Sequence, residues 1–485
     1  MNPLTIVPLG CNYDAMTEHT DVVIVGSRCA GSAAAITFAN KGVRVIALDS
    51  AAFPSDTLST HLFFPNHWAE IELLGALDRV RALGAPLHTH AGVGAPGVSL
   101  VGPYNPYGTL AAGACVRRPG LDLALVETAR AAGAEIREHT RVTDVLFDAS
   151  GRAVGVAYRR RDGTESIIKA SLVVGADGRR STVARLVGAR AHHSWDNQRM
   201  MAFAYYEDPR EDLRHIAMQW RNNDDLGTAF PCDGGQLVAL LMPPVTRSDE
   251  FRADAQAAFD AGIARIPSLA ERLEGCTRTS RVLVSYSHPS YFRHSHGPGW
   301  ALAGDAGHFK DPVTAQGIRD ALRFGRLLAE ATAPHLDDPA ALDAALADWE
   351  RDRDEQCLAM YQWANGLGRG DTVSPIEFAA YRWLASQPGG PTELLDVFSR
   401  KRAPAEVFTV PRLVRWIRAA VHDPNVDGRG LLRTVRRDLA REASRAGEQR
   451  LFRLRRALSA RRGGEVQPEQ TSGASPRSGV STGTV

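Results

Sequence analysis

The chain has 485 residues, of which 44% are hydrophobic and 23% are charged. These proportions are typical of globular proteins and exclude a disordered or collagen-like chain. The formal net charge is only +2, from 57 basic and 55 acidic residues, so no overall field favours nucleic acid as a partner.

The first predicted elements form a strand–helix–strand unit. Residues 1–20 are predicted to be a flexible leader. An apolar strand at Val22–Val25 follows, and a helix of small residues spans about Ala30–Lys41. A second strand, Val43–Leu48, ends at Asp49. This order is typical of a parallel α/β sheet.

The middle of the chain is rich in predicted strands. Alternating runs at 142–147, 153–158 and 166–170 indicate short strands, the last two joined across an Asp-Gly turn. More strands are expected within about 199–245. A helix is predicted next, over Glu250–Ile266.

The C-terminal third is predicted to be helical from Gly317 onward. Residues 433–462 carry eleven arginines, which indicates a solvated helix face or, alternatively, a surface for an acidic partner. Residues 463–485 are rich in Gly, Ser, Thr and Pro without periodicity, so this tail is predicted to be disordered.

Six cysteines lie far apart and form no CxxC pair, so reduced, buried thiols and no metal site are expected. No segment reaches the ~18 apolar residues of a membrane-spanning helix. The N-terminus has no basic region ahead of an apolar one, which argues against export. A cytoplasmic protein is therefore expected.

A glycine-bearing turn joins the first strand to its helix. Gly26 and Gly31 flank the segment Ser-Arg-Cys-Ala, and Asp49 follows 18 residues after Gly31. In a dinucleotide site, the first glycine makes the tight turn, the last lets helix and strand pack closely, and the helix N-terminus faces a pyrophosphate. The acid accepts hydrogen bonds from ribose hydroxyls. Arg28 replaces the middle glycine, so this motif is weak by itself.

Two further motifs place a carboxylate at the end of a strand. Asp177–Gly178 closes an apolar run, and Gly304–Asp305 is followed by Pro312 and a helix start at Gly317–Ile318. Asp305 is placed to hold a polyol hydroxyl. The N–H groups at the helix start are placed to face a ring carbonyl that becomes anionic on reduction. A structural turn is the alternative for each motif alone.

In order and spacing, the three motifs together resemble those of the para-hydroxybenzoate hydroxylase-like FAD-dependent monooxygenases, within the glutathione-reductase-type FAD superfamily. The resemblance covers about residues 21–328. It implies an α/β fold with a Rossmann-type FAD-binding domain at 21–195 and 276–335. An inserted substrate-binding sheet domain at 196–275 and a helical C-terminal region at 336–462 complete the predicted architecture.

Thirteen residues are predicted to contact FAD, most of them because the resemblance implies it. They are Gly26, Arg28, Gly31, Asp49, Arg118, Val142, Asp177, Gly178, Gly304, Asp305, Pro312, Gly317 and Ile318. Relatives often carry an arginine in the loop after the second strand, whereas the segment 56–61 of this chain has none. We hypothesise that Arg28 takes over that contact with the cofactor phosphates. The alternative is that Arg28 points to solvent.

In this family the substrate lies beneath the flavin, on the middle sheet. The residues predicted to line an apolar substrate pocket are Met201, Phe203, Tyr205 and Phe230; a plain sheet core is the alternative. No catalytic residue is identified with certainty. His61 and His308 are the candidate proton shuttles because histidine titrates near neutral pH, and a structural role is the alternative for both.

The resemblance implies hydroxylation or epoxidation of a small aromatic or polycyclic metabolite, through a flavin C4a-hydroperoxide formed with O2, with NAD(P)H as reductant. An FAD-dependent reductase of the geranylgeranyl-reductase type is the alternative. A flavin-dependent halogenase is disfavoured because the chain has no WxWxIP segment. A non-catalytic flavin-binding protein is the third class. A homodimer and a separate flavin reductase are the partners considered.

Overall fold

The structure, a computed structural model, describes residues 17–423 and 428–463. Its first sheet has eight strands: β1 (Thr17–Val25), β2 (Val45–Leu48), β8 (Glu135–Arg137), β9 (Thr140–Phe147), β10 (Ala153–Arg160), β11 (Glu165–Gly175), β20 (His296–Gly297) and β21 (Trp300–Leu302). Strands β21-β11-β1-β2-β8 run parallel. Val22 lies between Val45 and Leu172, and all three are buried, as expected for a parallel sheet covered on both faces. The predicted α/β fold is confirmed.

Fifteen α-helices are present in the described residues. They are α1 (Cys29–Asn40), α2 (Pro65–Leu73), α3 (Leu77–Arg81), α4 (Arg118–Ala131), α5 (Thr182–Leu186), α6 (Ser248–Ala253), α7 (Ala255–Ala264), α8 (Pro267–Arg272), α9 (Gly317–Thr332), α10 (Pro339–Leu367), α11 (Pro375–Ser386), α12 (Gly390–Phe398), α13 (Pro404–Val407), α14 (Val410–Val421) and α15 (Gly428–Gly463). Helices α1 and α9 touch through small residues. A Cβ on Gly325 of α9 would lie 2.4 Å from the carbonyl oxygen of Ala30.

A second eight-stranded sheet follows the order β17-β13-β16-β15-β14-β5-β6, with β18 also pairing with β13. Its strands are β5 (His90–Ala95), β6 (Val98–Pro103), β13 (Met201–Glu207), β14 (Ile216–Asn222), β15 (Asp225–Pro231), β16 (Gln236–Leu241), β17 (Thr277–Arg278) and β18 (Leu283–Ser285). Strand β13 is buried on both faces. Met201 and Phe203 belong to one apolar cluster, whereas Ala202 and Ala204 belong to a second cluster that includes residues of α6–α8.

The predicted domain limits at 195 and 276 do not coincide with this sheet. Strands β5 and β6 come from the segment 90–103, and β17 and β18 come from after residue 276. Pairing of β5 with β14 joins residues more than a hundred positions apart, which no local pattern reveals. The helix predicted over Glu250–Ile266 is also interrupted. Asp254 ends α6 and caps α7 by accepting the N–H groups of residues 256 and 257.

Two three-stranded sheets complete the fold. One contains β3 (Leu62–Phe63), β4 (Leu87–His88) and β7 (Gly113–Cys115); the other contains β12 (Ala191–Trp195), β19 (Ser290–Arg293) and β22 (His308–Phe309). Strand β1 begins at Thr17, which pairs with Ile167, so the predicted leader ends earlier than residue 20. Residues 1–16 and 464–485, which hold nearly all of the predicted leader and tail, lie outside the described residues.

The chain divides into two compact units, and the boundary falls inside α15 between Asp438 and Leu439. The sheets and helices α1–α14 belong to the first unit. The described part of the second unit is the remainder of α15, through Gly463. Within the described ranges, no helix combines the length and the apolar character needed to cross a membrane.

Candidate functional site

A cavity of about 600 Å³ lies at the carboxyl ends of β1, β2 and β11. This is where α/β sheets bind their ligands, and the volume lies within the ~300–1,000 Å³ of small-molecule sites. Eleven of the residues predicted to contact a cofactor line it: Gly26, Arg28, Asp49, Arg118, Val142, Asp177, Gly178, Asp305, Pro312, Gly317 and Ile318. Gly31 and Gly304 are not in the lining.

The turn after β1 is shaped by two glycines. Gly26 has a φ of 96°, and a Cβ there would lie 2.5 Å from the carbonyl oxygen of Ala176. A Cβ on Gly31 would lie 1.8 Å from the carbonyl oxygen of Gly26, so Gly31 allows α1 to approach the turn. The first residues of α1 carry no side-chain cap and no acid. Their N–H groups and the positive end of the helix dipole therefore suit a diphosphate.

Two arginines share one buried carboxylate beside this turn. The guanidinium of Arg28 donates to Asp122 at 2.5 Å and to the hydroxyl of Ser55 at 3.0 Å. Arg118 donates to the same carboxylate at 2.8 Å. Arg28 therefore does not point freely into solvent, and its charge is already partly compensated. Two cations against one anion nevertheless leave positive charge in the lining of the cavity.

The three predicted acids have different surroundings. The Asp49 carboxylate accepts the N–H groups of Ser27 and Ala51, each at 2.8 Å, and fixes the glycine turn to the end of β2. Asp177 accepts the Thr182 N–H at 2.6 Å, so it caps α5 as well as facing the cavity. Burial raises the pKa of Asp305 and of Asp177 above the ordinary aspartate range. Asp305 is thus placed to exchange hydrogen bonds with a hydroxyl-bearing chain.

Part of the cavity lining is apolar. It includes Pro312, Ala315 and Met201, and the lining also contains Gly317, where α9 begins. A separate small cavity of about 30 Å³ lies behind the 312–315 loop. Its lining comprises Thr60, Leu62, Phe64, Gln219, Leu226, Thr228, Phe230, Leu240, Met242, Pro312, Val313, Thr314, Ala315 and Phe398.

The four predicted substrate residues are not all brought together. Met201 lines the large cavity and Phe230 lines the small one. Phe203 and Tyr205 line neither, and they belong to the apolar cluster between the second sheet and the C-terminal helices. The His61 ring contacts both of them, and their assignment as substrate residues stays a prediction.

Neither candidate histidine lines the large cavity. His61 has a φ of 58°, and its Nε2 lies 2.7 Å from the Tyr205 hydroxyl. Burial, with Arg118 and Arg117 nearby, lowers the pKa of His61 to about 3. Burial also holds the pKa of His308 well below its usual value, and its ring lies 4.4 Å from that of Phe292. Both imidazoles are therefore neutral at pH 7 and poor proton donors there.

Lys310, which belongs to none of the predicted motifs, lines the cavity and is almost completely buried. Its ammonium group pairs with Asp320 of α9, which also accepts from Arg319 at 2.9 Å and from Arg400 at 3.0 Å. Burial alone would raise the pKa of Asp320, but the surrounding cations hold it well below its usual value. The available signal was the rarity of lysine, since the chain has only four.

Comparison with known proteins agrees with this geometry. Residues 19–363 match the family described as FAD binding domain. A menaquinone reductase of Mycolicibacterium smegmatis is 31% identical over 329 residues, which are 65% of this chain and 76% of that protein.

Among solved structures, the flavin-dependent brominase Bmp2 is similar with a TM-score of 0.69 and 21% identity, over 83% of this chain and 98% of that one. PqsL of Pseudomonas aeruginosa, a probable FAD-dependent monooxygenase, has a TM-score of 0.58 and 21% identity, over 78% and 99%. These relatives differ in reaction, so the narrower hydroxylase-like assignment stays a prediction. The glycine turn, the unpaired helix N-terminus and the family match lead to one conclusion: the chain belongs to the FAD binding domain family and is an FAD-dependent oxidoreductase.

Proposed function

We propose that the protein is an FAD-dependent monooxygenase of the para-hydroxybenzoate hydroxylase-like type, acting on an apolar aromatic or polycyclic metabolite with NAD(P)H as reductant, in the cytoplasm. Bound FAD would supply the redox chemistry and the reaction with O2. The tasks of the chain are to hold the cofactor, to exclude water and to orient the substrate. One observation carries the proposal: Met201 and Ala315 in the cavity lining also belong to the apolar cluster against the second sheet.

The position of the 312–315 loop supports this assignment. Pro312 and Ala315 line both the large and the small cavity, so the loop separates a cofactor space from an apolar space. The apolar side is formed by Leu226, Phe230 and neighbouring buried residues. Such a lining suits an aromatic compound better than a sugar or a charged metabolite. About 30 Å³ is too small for a whole ring, so an aromatic substrate would lie against the apolar part of the large cavity and place only a substituent in the small one.

Two buried hydroxyls lend the small cavity some polarity. The side-chain oxygens of Thr228 and Thr314 are buried and have no hydrogen-bond partner in the described part of the chain. A buried hydroxyl without a partner costs free energy, and a substrate hydroxyl or carbonyl would satisfy it. We therefore favour an aromatic substrate that carries one or two oxygen substituents.

A reductase without oxygen insertion is the second candidate. It is favoured by the similarity to a protein named menaquinone reductase, and a quinone ring would also suit the apolar lining. A halogenase is supported by the similarity to brominases in both fold and sequence, but the chain lacks the WxWxIP segment.

The test is product analysis with isotopic oxygen. The FAD-loaded protein is incubated with NADH or NADPH, ¹⁸O2 and a panel of phenols and quinones. We expect ¹⁸O in the product and O2 consumption that matches substrate turnover. Anaerobic turnover of a quinone with no ¹⁸O incorporation would replace the proposal by the reductase. Turnover that depends on added halide would replace it by the halogenase. If the bound FAD is reduced only when a flavin reductase is added, NAD(P)H is not the direct reductant of this protein.

A variant locates the substrate. Phe230→Ala removes an apolar wall of the small cavity and is expected to raise the KM by about tenfold while leaving FAD affinity unchanged. The matched control is Phe147→Ala, because Phe147 is partly exposed at the end of β9 in the first sheet. An unchanged KM in Phe230→Ala would show that the small cavity is not part of the substrate site.

A further inference from the structure

Histidines converge on the surface beside the three-stranded sheet β12-β19-β22. The register of β12 against β19 carries one extra residue, His192, between Ala191 and His193. An extra residue of this kind re-aims side chains that would otherwise alternate between faces. The His192 and His193 rings accordingly meet, with 2.9 Å between their Nδ1 atoms. The ring of His294, which directly follows β19, has its centroid 4.9 Å from that of His192.

A buried carboxylate on α10 faces these rings. Glu350 has only 8% of its side chain exposed, and its Oε2 accepts the Ser295 N–H at 2.7 Å and contacts His296 Nδ1 at 2.5 Å. These contacts fix one oxygen and orient the other. The second oxygen, Oε1, lies 3.8 Å from Nδ1 of His294. Ligating carboxylates in metal sites are typically held by such hydrogen bonds.

We propose that His192, His294 and Glu350 bind a divalent transition-metal ion of the zinc type. One ligand atom from each lies within 4.8 Å of the other two. Zinc binds imidazole nitrogen and carboxylate oxygen at about 2.0–2.2 Å, so the two rings must rotate to bring all three ligands onto one ion. The His192 side chain is 22% exposed, and its Nε2 lies 3.4 Å from Asp354. Two imidazoles and one carboxylate leave a fourth position for water. No sequence pattern indicates this site, because its ligands come from three distant segments.

A second group in the described residues, His308, Asp320 and Cys357, offers similar ligand types but carries no such inference. The Asp320 carboxylate is already surrounded by Lys310 and two arginines. These cations compensate its negative charge, so no metal ion is needed to do so. By contrast, the surface site is open to solvent, since 64% of the His294 side chain is exposed. An ion can therefore enter without opening the fold.

The bound ion would connect the small sheet to α10. Strand β19 also holds the turn around Asp305: the Tyr291 hydroxyl donates to the Asp305 carbonyl at 2.6 Å, and Arg293 donates to the Ala306 carbonyl at 2.8 Å. The ion would thus stabilise a support of the cofactor cavity without touching the cofactor. This role is structural, and it holds whichever reaction the flavin site performs.

The test uses the full, untagged, FAD-loaded chain and Zn²⁺. Isothermal titration is expected to show one ion per chain, and saturating Zn²⁺ is expected to raise the Tm. His192→Ala and His294→Ala are each expected to weaken binding by about tenfold or more and to abolish the Tm shift. Because His294 is exposed, its replacement is expected to leave the fold and FAD binding intact.

The matched control is the pair His90→Ala and His215→Ala. These two rings are 5.9 Å apart on another part of the surface, without the buried glutamate. Their replacement is expected to leave Zn²⁺ binding unchanged. Co²⁺ provides a second readout, since coordination by His192 and His294 is expected to give intense visible bands that the variants lack. No saturable binding, or binding unchanged in the His192→Ala, His294→Ala double variant, would overturn the site.

Discussion

Gly31 shows how closely helix and turn approach one another at the cofactor site. Its Cα faces the carbonyl oxygen of Gly26, and a methyl group there would need the turn to move. The same turn positions the Ser27 N–H against Asp49. Movement of the turn would therefore disturb the diphosphate site and the ribose site together.

Replacing Gly31 by alanine is expected to cost about 1–3 kcal/mol through overpacking and to weaken FAD binding by at least about tenfold. Flavin fluorescence titration measures the affinity, and urea unfolding measures the stability. The control is Gly447→Ala in α15, where the added methyl group meets nothing within 4 Å and is expected to leave FAD affinity unchanged. Wild-type affinity in Gly31→Ala would contradict the close-packing argument.

Asp311 is a buried acid in the loop between the two cavities. Burial raises its pKa to about 6, although the Val313 N–H, which it accepts at 3.0 Å, and the charge of Arg199 oppose the rise. An unfolded aspartate has a pKa of about 3.9, so the folded chain holds this proton to higher pH. The free energy of unfolding contributed by this group therefore falls as pH rises from about 4 to about 6, by on the order of 3 kcal/mol.

Asp311→Asn removes this titration and keeps an oxygen that can accept the Val313 N–H. We expect the variant to gain stability relative to wild type as pH rises from 4.5 to 7.5. Urea unfolding at both pH values, with saturating FAD, measures the difference. Identical pH dependence in the two proteins would show that Asp311 is ionised throughout this range.

At the scale of the elements, a buried ion pair ties helix α8 to the end of β13. Arg272 donates to both oxygens of Asp208, at 3.1 and 2.7 Å. Both side chains are buried, with 7% and 0% exposed. Two hydrogen bonds in parallel fix the direction as well as the distance of α8 from the second sheet.

Arg272→Ala leaves the Asp208 carboxylate buried without its main partner, and we expect a loss of about 3–5 kcal/mol in the free energy of unfolding. The control is Arg252→Ala in α6, which removes a largely exposed pair with Asp249 and a contact with the Tyr286 ring and is expected to cost about 1 kcal/mol or less. Similar small losses in both variants would show that Asp208 finds other partners.

The elements also show what a sequence can and cannot predict. The first strand–helix–strand unit was predictable because its apolar runs, glycine turn and acid are adjacent in the chain. The antiparallel pairing of β10 with β11 was predictable for the same reason. The pairing of β5 with β14 was not, because it depends on tertiary packing: Gly94 leaves room for the Trp220 ring, whose Cδ1 would lie 2.3 Å from an added Cβ.

Cofactor and substrate residues differ in the same way. The glycines and acids of the cofactor site have fixed spacings to neighbouring strands, so eleven of the thirteen predicted residues line the cavity. Phe203 and Tyr205 were predicted from alternation alone, which identifies a face but not what covers it. No sequence motif includes Lys310. Its position in the cavity lining depends on its pairing with Asp320 of α9, which also pairs with Arg400.

At the scale of the whole molecule, the cavity is assembled from segments between Val25 and Ala321. A ligand that contacts all of them binds only the folded chain and stabilises it by mass action. FAD at one hundred times its dissociation constant is expected to add about 2.7 kcal/mol and to raise the Tm of the apoprotein. Differential scanning fluorimetry with an extrinsic dye measures the shift, and riboflavin, which lacks the diphosphate, is the control. Equal Tm shifts with FAD and with riboflavin would show that the protein has no binding site for the diphosphate.

The placement of β11 has a consequence for synthesis of the protein in the cell. Val173 pairs with Val23 on one side and with Trp300 on the other. At ~5–20 residues per second, a ribosome needs roughly 6 to 25 seconds to proceed from Val173 to Trp300. During that time part of one edge of the strand has no native neighbour, which is the state in which strands pair wrongly. The cavity lining includes residues as late as Ala321, so a nascent chain that stops before Trp300 has no complete cavity in which to hold FAD.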